Sequence, residues 1–104
     1  MRSHEWIDQR SLALHEAVAR KLIDHPELLD IARQNLHRWL AQNPHSALLE
    51  WQRLLETLAF HELLEFLRAS DERATRLRQS SPFAGVLTPR ERQAILDRYE
   101  SQPA

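Results

Sequence analysis

SHEWIDQRSLALHEAVARKLIDH, residues 3–25, decides the fold class. Ile7, Leu14, Val18 and Leu22 fall at steps of seven and four with Ala17 beside them, which is one face of a 3.6-residue period. The spacing predicts a helix from about Glu5 to Ile23. Pro26 ends it, because proline disfavours a helical residue before it and suits the first turn of a new helix. Asp24 then reads as the N-cap of the next element, with Glu27 at a box-like spacing.

The same period continues outward from this stretch. PELLDIARQNLHRWLAQ places Leu28, Ala32, Leu36, Trp39 and Leu40 on one stripe and stops at Asn43-Pro44. SALLEWQRLLETL carries Leu48, Trp51, Leu54, Leu55 and Leu58, and Phe60 to Arg68 carries Phe60, Leu63, Leu64 and Leu67. Ser70-Asp71 is a capped start for a fifth helix. The connections are short, so neighbouring helices should pack antiparallel. No segment alternates at period two long enough for a strand. Leu36, Trp39, Trp51 and Leu55 are the expected centre of the core.

The pattern breaks in LRQSSPFAGVLTPRER, residues 77–92, which holds Gly85, the only glycine of the chain. Ser81-Pro82 opens an extended piece, and Thr88-Pro89-Arg90-Glu91 combines a threonine cap, a proline in the first turn and a glutamate three residues after the cap. A last helix, PRERQAILDRYE, follows, with Arg92, Ile95 and Tyr99 sharing a face. The expectation is an all-α single domain over 1–104, a compact bundle of five to six short helices. Within it, 1–80 form the helical bundle, 81–88 an extended Pro/Gly-containing segment and 89–100 the C-terminal helix, with 101–104 frayed.

Composition narrows the function classes. Hydrophobic residues are 42% and charged residues 28% of the chain, the balance of a folded globular protein rather than a disordered one. There is no cysteine, which excludes disulfides and thiolate metal sites. The polar N-terminus and the lack of any long apolar run point to a cytoplasmic protein with no membrane partner. Residues 1–67 carry ten acids against seven bases and residues 68–104 five against seven, so the C-terminal third is the basic end. Thirteen of the fourteen basic residues are arginine, the side chain suited to forked contacts with carboxylate or phosphate.

Catalytic constellations are sparse. The six histidines never stand three or four residues apart, and no Glu-x-x-His pairing occurs, so neither a metal site nor a cofactor is expected. Arg10 to His15 and Arg20 to His25 each have the arginine-four-residues-histidine spacing found in helical HEPN-type RNases, where histidine moves a proton and arginine stabilises the phosphate. This composition produces such a spacing about once by chance, so the RNase stays a second alternative and the chain is expected not to be an enzyme. Trp39 and Trp51 lie on apolar stripes and read as core rather than as base-stacking platforms. Phe60 to Arg68, a three-residue turn and ERATRLRQS have the proportions of a helix-turn-helix, with Arg73, Arg76, Arg78 and Gln79 as its candidate DNA contacts.

The run from Arg73 to Arg92, together with WIDQRSLALHEAVARKL and ARQNLHRWL, resembles a group of short uncharacterised bacterial proteins. These look like the small partners in toxin-antitoxin-type or nucleotidyltransferase-type gene pairs. The resemblance covers most of the chain, is most specific in SSPFAGVLTPRER, and brings no catalytic residues with it. It implies an antitoxin-like protein whose partner is another bacterial protein, a toxin or nucleotidyltransferase; operator DNA and a second copy of the chain are further partners it allows. Phe83, Val86 and Leu87 would then be apolar anchors, and Arg78, Arg90 and Arg92 would pair with the partner's carboxylates. The alternative for 81–88 is a plug folded into the protein's own core. Phe83 leans to the plug, leaving exposed Arg78, Arg90 and Arg92 as the partner-facing part.

Overall fold

The computed structural model describes residues 3–100, and among these it is all-α with no strand. Helix α1 spans His4–Asp24, a 3-10 turn covers Pro26–Leu28, and α2 spans Leu29–Gln42. Four more helices follow: α3 Ser46–Thr57, α4 Phe60–Arg68, α5 Glu72–Arg78 and α6 Pro89–Glu100. The expected fraying at 101–104 lies outside the described residues.

Helix α1 begins where Ser3 accepts the Trp6 amide proton at 3.1 Å, and it runs through the middle of the bundle. It packs against α4, α5 and α6. Its buried face is His15, Val18, Ala19 and Leu22. Helix α2 pairs with α3: Trp39 and Gln42 line one groove with Leu48, and Arg33, Leu36 and His37 line another with Gln52, Leu55 and Glu56, so this pair runs antiparallel as expected. At Asp24 the expectation fails. Asp24 stays helical as the last residue of α1, so His25 takes the N-cap position of the Pro26–Leu28 turn and no side chain caps it.

The core joins Leu22 of α1, Ala32 and Leu36 of α2, Trp51 and Leu54 of α3 and Leu63 and Leu67 of α4. Of the four residues expected at its centre, Leu36 and Trp51 are fully buried, whereas Trp39 and Leu55 are half-buried at its edge. Trp51 meets Phe66 and Phe83 edge-to-face, each at 5.6 Å between ring centres, and its indole N–H donates to the Leu77 carbonyl at 2.8 Å. A buried tryptophan thus has both its apolar face and its polar handle satisfied.

Segment 81–88 completes this core. Pro82, Phe83 and Val86 are buried, and Phe83 lies against Trp51 from α3 and His15 from α1. Gly85 turns the chain with φ +94°, a region L side chains avoid. The α6 start reads as the sequence implies: Thr88 Oγ1 accepts the Glu91 amide proton at 3.1 Å and Glu91 Oε1 accepts that of Thr88 at 2.7 Å. Helix α6 lies antiparallel on α1, pinned at one end by Lys21 and Glu91 at 2.5 Å and at the other by Trp6 and Tyr99, with Ile95 buried between.

Candidate functional site

Two polar side chains, one on each of two helices, fasten segment 81–88 in place. Asn35 of α2 is buried, and its amide donates to the carbonyls of Pro82 at 2.8 Å and Ala84 at 2.9 Å. Its Oδ1 accepts from Arg38 at 2.6 Å, so no polar atom of the amide is left over. His15 of α1 makes the second attachment. Its Nδ1–H donates to the Ser11 carbonyl at 2.7 Å, and its Nε2 accepts from the Ser81 hydroxyl at 2.7 Å. The Ser11 oxygen can only accept, which fixes this tautomer. Burial, together with the positive charge of Arg78, lowers the His15 pKa to about 4 against the opposing pull of the Ser11 carbonyl, so the ring is neutral at pH 7.

These contacts sort the partner residues read from the sequence. Phe83 is 4% and Val86 2% exposed, so neither is available to a partner; both plug the core. Arg78, expected at the surface, is 5% exposed. Its guanidinium closes the C-terminal end of α4, donating to the Ala69 carbonyl at 2.6 Å and reaching Thr75 Oγ1 at 3.3 Å, while its Nε has no hydrogen-bond partner. Helix-end carbonyls are acceptors in need of donors, and here the arginine serves the protein itself. Burial lowers its pKa, opposed by Asp71, Asp8 and Glu16.

Leu87, Arg90 and Arg92 remain. Leu87 is half-buried, and with Leu14, Val18, Ala84 and Phe83 it walls an apolar groove of about 170 Å³ between α1 and the segment. Arg92 stands at its lip. Both Arg90 and Arg92 are exposed, and among the described residues neither enters an ion pair.

The rival constellations are arranged differently. In the helix-turn-helix proportioned pair α4–α5, the second helix has seven residues. Arg76 reaches Glu50 at 3.0 Å and Arg73 the same carboxylate at 3.8 Å, while Gln79 reaches Asp8 at 3.4 Å. With Arg78 buried, all four candidate DNA contacts face groups of the protein itself. Of the two arginine-histidine pairs, Arg10 stacks over Trp6 at 5.1 Å while His15 is held in the core. Arg20 and His25 line an open groove of about 450 Å³ beside Lys21, Glu91 and Arg98.

Sequence reasoning missed Asn35 and the attaching role of His15. The signal was present: Asn35 sits three residues after Ala32 and one before Leu36, and His15 three before Val18, so each is a polar side chain on an apolar stripe. No family model, curated protein or solved structure matches the chain.

Proposed function

We propose that this chain is a non-enzymatic, antitoxin-like interaction protein that binds another protein through the face formed by Leu87, Arg90 and Arg92. One observation carries the reading: an apolar groove beside a firmly attached backbone has the exposed Arg92 at its lip, and among the described residues neither Arg92 nor the exposed Arg90 two residues before it enters an ion pair. A binding surface of this kind takes an apolar side chain and an adjacent carboxylate. Preorganisation reduces the ordering cost of association, and unpaired cations at the rim speed and orient the encounter with an acidic partner. The group of bacterial proteins this sequence resembles supplies the partner class, a toxin or nucleotidyltransferase. DNA binding is the weaker alternative, since Arg73, Arg76 and Gln79 are engaged with Glu50 and Asp8.

The test is a complex formed with the protein that co-purifies with a tagged copy, followed by charge reversal. Arg90→Glu with Arg92→Glu should leave the melting temperature unchanged and weaken the complex at least about tenfold, chiefly through slower association at low salt. Unaltered affinity would move the binding face elsewhere. Salt-steep binding of DNA by the chain alone would favour the regulator instead.

A further inference from the structure

The hydroxyl of Ser81 does more than hold a loop. It donates to Nε2 of His15 at 2.7 Å, and the far nitrogen of that ring is oriented by the Ser11 carbonyl at 2.7 Å. The Phe83 amide donates to the same Oγ at 3.2 Å, which fixes the hydroxyl in place with its proton directed at His15. A nucleophile, a base and a group that orients the base are therefore already in register. Ser81 is also half-buried rather than sealed, and it borders two grooves of opposite character. One is the apolar groove of about 170 Å³ walled by Leu14, Val18, Phe83 and Leu87. The other, about 390 Å³, presents Gln42, Asn43 and His45 around Trp39.

We propose that Ser81 is a covalent acylation site with His15 as its general base, and that the donor is an activated ester bearing a short apolar acyl group. The Oγ of Ser81 bonds to the acyl carbon as the ester's C–O bond breaks. The proton passes from Oγ to Nε2 of His15 and then to the departing alkoxide, so His15 ends as it began. The acyl chain occupies the apolar groove, and the alcohol leaves through the polar one. Phosphoryl donors fit this site poorly, because the apolar groove offers only Arg92, at its rim, to anionic oxygens. Once acylated, Ser81 has no hydrogen to donate to His15, so the modification removes the direct tie between α1 and the segment. The acyl chain would fill the same groove that the proposed partner face presents, so acylation and partner binding exclude one another.

The experiment is incubation of the full chain with p-nitrophenyl butyrate, in buffer and in urea, with the adduct located by peptide mass spectrometry. A single butyryl group is expected on Ser81, formed at least about tenfold faster than on Ser80, below the roughly 10²–10⁴-fold of a base matched to neutral pH because burial makes His15 a weaker proton acceptor. The adduct should be absent from Ser81→Ala and form about tenfold or more slowly in His15→Gln, whose fold is checked by circular dichroism. Urea should bring Ser81 down to the rate of the other serines, and this comparison decides the matter even if His15→Gln fails to fold. No adduct on Ser81, equal labelling of Ser80, or an unchanged Ser81 rate in urea or in folded His15→Gln would overturn the assignment.

Discussion

Residues 81–88 have no regular secondary structure and α6 is a capped helix, yet the irregular piece is the one built into the core. Phe83 and Val86 belong to the central cluster with Trp51 and Leu22, whereas Ile95, the one buried residue of α6, stands outside it. The segment is fastened by Asn35 to α2 and by His15 to α1; α6 is held by Ile95, an exposed ion pair and the Trp6–Tyr99 contact. Regularity of backbone and contribution to stability are thus separate properties. A coil stabilises when its apolar side chains are buried and its carbonyls find donors.

The sharpest way to break this comparison is to truncate one anchor from each region. Phe83→Ala should cost about 3–5 kcal/mol, because the hole it leaves is bounded by Trp51 and His15, which are themselves fixed by hydrogen bonds. Ile95→Ala should cost about 2 kcal/mol, the low end for such a truncation, since α6 can settle onto α1. Denaturant titration of both variants checks the ordering; equal losses would dissolve the distinction.

The next effect is set by pH. His15 is depressed from 6.5 to about 4 in the folded protein, so between these values the unfolded chain binds the extra proton. Its stabilising contribution is complete above pH 6.5 and is lost as pH falls toward 4, about 3 kcal/mol at 1.36 kcal/mol per pH unit. A His15→Gln variant should lack that slope. Urea midpoints measured between pH 7 and pH 4 test it, and a wild-type profile parallel to the variant's would show that the segment is not fastened through a neutral imidazole.

How much of this was legible follows from what a sequence can express. The helices and the α6 cap were legible, because 3.6-residue stripes and the Thr88-to-Glu91 spacing are local. Arg78 was misplaced: its residue type suggests a surface charge, and only the fold shows that the last carbonyls of α4 lie within its reach. The attachment of Pro82 and Ala84 to Asn35 spans 47 and 49 residues of sequence, and nothing local to either partner announces it. The candidate binding face was half legible, with Leu87 and Arg92 named but the groove between them and α1 hidden until Leu14 and Leu87 are brought together.

Two smaller effects sharpen the comparison. Gly85→Ala should cost about 1–2 kcal/mol through backbone strain at φ +94°, since a Cβ there would meet Ile31 at an ordinary 3.6 Å. Thr88→Ala should cost about 1 kcal/mol by removing the α6 cap. Thermal melts rank them, and a harmless Gly85→Ala would show that the turn can be remade.

The central claim is that the irregular segment opens only when the whole domain does, and native-state hydrogen exchange tests it most directly. The Val86 amide, bonded to the Phe83 carbonyl at 3.1 Å, is predicted to exchange with the free energy and denaturant dependence of global unfolding, alongside the amides of α1. The α6 amides should exchange faster, by local opening. Val86 exchanging by local opening while α6 follows global unfolding would contradict the account.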